Sequence, residues 1–320
     1  MIRIGTIGTS WITEDFVQEG IKSKIVKFTC CYSRDKNKGK AFIEKNKMSK
    51  TIAVTSFQDM VEIIDAVYIA SPNGLHYEQA KYFLTQQKHV LVEKPITFTY
   101  EQALELTKIA KLNNVILMEA MKTIHLPQFG ELIEFNKKNN AFCATLSMNQ
   151  YSSKMTEVKN GVYTGPFDDK LGKGSTYDML VYPVALAVAL FGKVDDVKSF
   201  GQKLLNNVNV NDSVIIKHED GTLTNIMCSK SATGVIGSEL LSENATMTFG
   251  RLTMLEDIKL FDRQTGKTEQ VFKLNKESGF KYILDLFIMM ILNNDFTLRD
   301  NFLSLTCETI RVLNLVENNQ

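Results

Sequence analysis

Roughly the first 120 residues alternate short apolar runs with amphipathic segments, and that rhythm constrains the fold more than any other feature. Ile2–Ile7, Val26–Tyr32, Ile52–Val54, Ala66–Ala70, His89–Glu93 and Val115–Met118 read as strands. Between them, Trp11–Ser23, Lys36–Asn46, Phe57–Ile63, Leu75–Gln86 and Tyr100–Asn113 read as helices. Single helices between successive strands act as right-handed crossovers, so the expectation is a doubly wound parallel α/β sheet. Thr99 with Gln102 forms a capping box that fixes the start of the last of these helices.

From about Ala141 the rhythm changes. Ala141–Gln150, Val194–Phe200, Val214–His218, Leu223–Cys228, Val235–Leu241, Ala245–Phe249 and Lys259–Phe261 read as strands. Turn signals such as Glu219-Asp220-Gly221 and Gln264-Thr265-Gly266 accompany them, as expected of a large, mostly antiparallel sheet. Phe280, Ile283, Leu284, Phe287, Ile288 and Ile291 then return to helical spacing. A chain of 320 residues exceeds one ordinary core. The expected division is a parallel α/β domain over 1–121 and an α+β domain over 122–320.

Composition narrows the partners. Thirty-seven Lys and Arg against 36 Asp and Glu give no electrostatic reason to expect nucleic acid or an anionic membrane. The longest apolar run, around Val184–Phe191, falls far short of the roughly 20 residues that span a bilayer. The N-terminus enters a strand with no signal-peptide pattern. Five cysteines without a Cys-x-x-Cys spacing suit small buried side chains in a reducing, cytoplasmic setting. Four scattered histidines offer no metal-ligand pair, and no metal site is expected.

The first strand–helix turn reads Gly8-Thr9-Ser10-Trp11-Ile12-Thr13. Against the dinucleotide fingerprint, Ser10 and Thr13 stand where glycine, and glycine or alanine, are usual. Gly8 permits the tight turn, Ser10 is small, and the helix start behind it favours a pyrophosphate. Gly8 through Ile12 are therefore candidate cofactor ligands. The second strand ends in Ser33-Arg34, where an NAD site usually carries a carboxylate. A hydroxyl plus a guanidinium suits a 2′-phosphate, which favours NADP over NAD. Asp35 also fits as a helix cap, and Lys36, Lys38 and Lys40 fit a solvated helix face. Ser71-Pro72-Asn73 at the end of the fourth strand forms the expected opposite wall, with His76 beside the cofactor rather than acting as a base.

Three further blocks, "DAVYIASPNGLHYEQA", "KHVLVEKPIT" and "LMEAM", come in order, followed by "GKGSTYDMLVYPVALAVALFG". Together they resemble the Gfo/Idh/MocA family of NAD(P)-dependent oxidoreductases, over residues 1 to about 192. The resemblance implies a Rossmann domain and a site in which Glu93, Lys94, Pro95 and Met121 lie by the nicotinamide. In that family the Lys-Pro bond is commonly cis. Gly172 to Tyr182 is similar to the family's Gly-Gly-x-x-x-Asp-x-Gly-x-His/Tyr pattern, with Leu180 in place of the usual glycine. Tyrosine at 182 resembles the branch of dihydrodiol and xylose dehydrogenases and glucose–fructose oxidoreductase.

The resemblance implies that Tyr182 exchanges a proton with the substrate hydroxyl, assisted by Lys94. Asp178, four residues earlier and on the same face if one helix runs through, would orient a second hydroxyl. The loop Tyr151–Lys173 would carry specificity. The expected activity is hydride transfer between NADP, with NAD possible, and a sugar, polyol or cyclic diol. The expected assembly is a homodimer or dimer of dimers through the second sheet. The alternatives are an NAD-dependent glycosidase of the same family, or a non-catalytic NADP(H)-sensing regulator.

Overall fold

The computed structural model of the protein describes residues 1–272 and 278–319. It divides into two compact units: Met1–Ala120 with Glu277–Thr306, and Met121–Lys276 with Cys307–Gln320.

The first unit is built on β1 (Ile2–Ile7), β2 (Val26–Tyr32), β3 (Ile52–Val54), β4 (Ala66–Ile69), β5 (His89–Val92) and β6 (Leu117–Glu119). The strands lie in the order β3-β2-β1-β4-β5-β6, all parallel. This is the doubly wound arrangement, and the strand order reverses between β1 and β4. Helices α1 (Trp11–Lys22), α2 (Lys36–Lys45), α3 (Phe57–Val61), α4 (His76–Thr85) and α5 (Tyr100–Leu112) make the crossovers. Covered on both faces, β4 is buried at every position, as parallel strands usually are. Asp35 caps α2 by accepting from the Asn37 and Lys38 amides, and Thr99 caps α5 by accepting from Gln102.

The second unit holds β7 (Cys143–Asn149), β8 (Val194–Lys203), β9 (Asn209–His218), β10 (Leu223–Ser229), β11 (Ser238–Leu241), β12 (Ala245–Phe249), β13 (Ile258–Asp262) and β14 (Thr268–Phe272). The order is β14-β13-β12-β11-β7-β10-β9-β8. One pair, β7 with β10, is parallel, and the rest are antiparallel. Helices α6 (Phe129–Asn139), α7 (Met155–Lys159), α8 (Gly174–Asp178) and α9 (Val181–Phe191) belong to this unit. The chain ends in α10 (Gly279–Asn293) and α11 (Phe296–Asn318). Among the described residues, no helix is long and apolar enough to cross a membrane. All five cysteines are free thiols.

Three sequence expectations change. Helix α10 packs with the first unit, not with the sheet that precedes it. Its Phe280 ring lies edge-on to Phe16 and Tyr68, with centroids 6.0 and 6.3 Å away, inside one apolar cluster with Ile283, Leu284 and Phe287. Residues 278–306 therefore fall outside a simple division at 121. Strand β11 begins at Ser238 rather than Val235, leaving Val235 and Ile236 almost fully exposed between Gly234 and Gly237. Asp178 and Tyr182 lie on two consecutive helices, α8 and α9, rather than on one. Pro183 accounts for the break: it lacks an N–H, and its ring would press on the Met179 carbonyl of a continuous helix. Leu180 meanwhile takes an ordinary helical backbone, with φ of −62°, so a side chain replaces the usual glycine there without strain.

Candidate active site

The turn between β1 and α1 is shaped by Gly8. Its φ is +109°, and a Cβ there would stand 2.5 Å from the Ala70 carbonyl oxygen. Only glycine fits both conditions. Ser10 occupies the N-cap of α1, but its hydroxyl makes no capping bond. The first amides of α1 thus keep their donor capacity at the positive end of the helix dipole. Thr13, fully buried beside Gly8, holds a hydroxyl oxygen with no hydrogen-bond partner.

A cleft of about 390 Å³ opens at this turn. Gly8, Thr9 and Ser10 form one wall, Ser33 and Arg34 a second, and Ser71 and Pro72 a third. Tyr32, Lys38 and Gln79 also line it. Lys38, read from sequence as part of a solvated face, sits one helical turn beyond the Asp35 cap and adds a second cation beside Arg34. The Ser71 hydroxyl donates to Gln79 Oε1 at 2.7 Å. A narrow glycine turn, unengaged helix amides and two cations beside a serine suit a dinucleotide phosphate chain. Trp11, Ile12, Asn73, His76, Glu93, Lys94 and Pro95 do not line this cleft, and Met121 belongs to the second unit.

Beyond the cleft, the end of β5 carries the charged turn. Lys94 is half-buried, and the Lys94–Pro95 bond is cis. Glu93 is buried and accepts from the Tyr68 hydroxyl at 2.7 Å. His76 is wholly buried. Its Nδ1 lies 2.8 Å from the Pro95 carbonyl and its Nε2 2.9 Å from the Ser71 carbonyl. The ring therefore brackets the cofactor wall at Ser71 to the turn after Lys94. Burial holds His76 below its ordinary pKa despite the pull of the two carbonyls.

Sequence reasoning gave no role to Glu119, the carboxylate inside "LMEAM". Buried at the end of β6, it accepts from the Ile96 amide at 2.8 Å and from the Thr306 hydroxyl at 3.3 Å. Burial pushes its carboxyl up to about 7. Its only sequence signal was a charge at the end of an apolar strand.

In the second unit, α8 starts at Gly174, whose φ is +72°. A Cβ there would overlap the Asn209 carbonyl of β9. The buried Asp212 locks the helix to the strand by accepting from Ser175 at 2.5 Å, Thr176 at 2.9 Å and Asn209 at 2.8 Å. Asp178 ends α8 and is ion-paired with Lys230. Tyr182, in the first turn of α9, is half-buried. In the 151–173 segment, Met155, Val158 and Phe167 pack with Val210 into a small apolar cluster.

The comparisons with known proteins agree with this architecture. Residues 2–121 match the Gfo/Idh/MocA oxidoreductase family's NAD-binding Rossmann domain, and residues 151–247 match a C-terminal domain of the same family. A scyllo-inositol 2-dehydrogenase (NADP⁺) of Bacillus subtilis is 33% identical over 98% of this chain and 95% of its own length. This chain belongs to the Gfo/Idh/MocA family. It is an NAD(P)-dependent oxidoreductase of the dehydrogenase or reductase kind. An uncharacterised oxidoreductase of Escherichia coli is 33% identical over 81% of this chain and 79% of its own. The fold is shared with a 3-ketoreductase from Actinomadura kijaniata, solved with NADP and TDP-benzene. The TM-score is 0.87 at 20% identity, covering 99% of this chain and 97% of that one.

Proposed function

We propose that the protein is an NADP-preferring dehydrogenase or reductase acting on a ring hydroxyl of a cyclic polyol or sugar. The observation that carries the cofactor preference is the pairing of Ser33 with Arg34 and Lys38 around one cleft. Cations without a competing strand-end carboxylate suit a 2′-phosphate. Asp35 also lines the cleft, but it stands beyond Ser33 and Arg34, and its Oδ1 is taken by the Asn37 and Lys38 amides. The substrate class rests on the full-length similarity to the inositol dehydrogenase.

Gly8–Ser10, Ser33, Arg34, Lys38 and Ser71 would hold the nicotinamide nucleotide, which would supply the hydride acceptor or donor. Tyr182 accepts the proton from the substrate hydroxyl in oxidation and returns it in reduction. A phenol ionises near pH ~10, so it is a poor base at neutrality unless an ammonium favours its anion. Lys94 is that ammonium, and it also donates to the substrate oxygen. Asp178 accepts a hydrogen bond from a second hydroxyl and fixes the ring.

The test is turnover of scyllo-inositol, myo-inositol, D-glucose and D-xylose with NADP⁺. Wild type should oxidise at least one, and Lys94→Ala should lose about three orders of magnitude in kcat with NADPH affinity intact. Full activity in Lys94→Ala would refute the assigned chemistry. Release of sugar from a glycoside without net change in NADP⁺ would favour the glycosidase reading.

We also propose a homodimer through the outer face of the second sheet. Val197, Val214, Ile216 and Ile226 point inward and are buried, whereas Phe200, Ile215, Leu223 and Met227 point outward. Phe200 is 82% exposed, a large cost for an aromatic ring left in water. Sedimentation should give a dimer for wild type and a monomer for Phe200→Asp. A wild-type monomer at micromolar concentration would end this assignment.

A further inference from the structure

Lys230 has an environment that an ordinary surface lysine does not. It follows the last residue of β10 and is 4% exposed. Its amide donates to the Val210 carbonyl at 2.9 Å, and its carbonyl accepts from the Ser152 amide at 2.8 Å. Its backbone thus joins β9 to the start of the 151–173 segment. Its ammonium pairs with the Asp178 carboxylate and lies 5.6 Å from the centroid of the Phe167 ring.

Removing an ammonium from water costs several kcal/mol unless a counter-charge and further contacts compensate. Here one carboxylate and one aromatic face supply them. Both come from the second unit: Asp178 from the end of α8, and Phe167 from the apolar cluster of the 151–173 segment. Lys230 is almost sealed, while the Asp178 side chain retains 27% of its exposure. Of the pair, the carboxylate is therefore the member with access to a ligand. An ionised carboxylate offers only acceptors, and this is the chemistry that recognises a hydroxyl.

We infer that Lys230 is a positioning residue for substrate specificity: it holds Asp178 as a hydroxyl acceptor and registers it against the 151–173 segment. This rests on the reading of Asp178 as the group that orients a second substrate hydroxyl. Losing Lys230 would remove the ammonium that pairs with Asp178 and so loosen the placement of its carboxylate. The second hydroxyl would then be poorly held, while proton transfer at the first would be little affected. The loss appears mainly in KM.

The experiment is a double-mutant cycle of Lys230→Met and Asp178→Asn, with Lys230→Arg as the conservative variant. It uses the full chain and the best polyol of the panel above, with NADPH affinity measured in parallel. Lys230→Met should raise KM at least tenfold with kcat within about threefold, and Lys230→Arg should recover part of it. The double variant should be no worse than Asp178→Asn alone, with NADPH affinity unchanged throughout. Multiplicative losses in the double variant, or equal falls in kcat and active fraction without a KM change, would overturn the inference and mark Lys230 as a packing residue. If Asp178→Asn itself leaves KM unchanged, or wild type turns over no member of the panel, the underlying reading of Asp178 fails and Lys230 loses its role with it. Should Lys230→Met not fold, Lys230→Gln takes its place: an unchanged KM in folded Lys230→Gln together with a raised KM in Asp178→Asn would count against the inference.

Discussion

The two sheets offer a ligand different kinds of surface. In the first, β1 and β4 are buried against helices, and what remains available is their ends. The cleft there is made from backbone and short side chains where the strand order reverses, with Arg34 and Lys38 supplying charge. In the second, β8, β9 and β10 alternate buried and exposed residues, so a whole face is open. Its polar chemistry sits where α8 meets β9 and the residue after β10, at Asp212 and the Lys230–Asp178 pair. A parallel sheet thus exposes a turn whose shape is set by backbone geometry. The antiparallel sheet presents side chains whose positions depend on other side chains. Steric changes should damage the first most, and removal of a single charge the second.

The largest effect expected from that contrast is at Gly8. Gly8→Ala forces a left-handed φ on alanine and a Cβ against the Ala70 carbonyl. NADPH affinity should fall at least ~100-fold by equilibrium titration, while the second sheet stays folded by hydrogen exchange. Unchanged affinity would mean that the turn is not a rigid template.

An effect of comparable size concerns Glu119, a buried carboxyl within the first unit. Its carboxyl is raised to about 7 by burial, so the folded state binds its proton more tightly than the unfolded chain does. This contribution is present below about pH 4.5 and is lost as pH rises through about 7. The stability advantage of wild type over Glu119→Gln should therefore shrink by up to about 3 kcal/mol across that window. A difference that does not vary with pH would show that Glu119 titrates normally.

Legibility in the sequence followed the same contrast. Gly8, Ser33, Arg34 and Ser71 were readable because each lies just past the end of a strand, and a local pattern locates strand ends. The break between Asp178 and Tyr182 was also written in the chain, in Pro183, but the four-residue spacing suggested one helix. Lys230 was not readable, since its partner lies 52 residues away and only the folded sheet brings the two together. Nor was the return of α10 to the first unit, because an apolar helix face does not name the surface it will cover. Strand β14, with most of its residues exposed, lacked the alternation that identifies a half-buried strand.

The most direct test of the account is cofactor selectivity at Arg34. The lone tryptophan, Trp11, opens α1 at the phosphate turn and is 70% exposed, so its fluorescence can follow binding. Wild type should bind NADPH at least about tenfold more tightly than NADH. Arg34→Ala should remove most of that preference by weakening NADPH alone. Equal weakening of both nucleotides, or a wild type that prefers NADH, would contradict the 2′-phosphate assignment and with it the proposed cofactor.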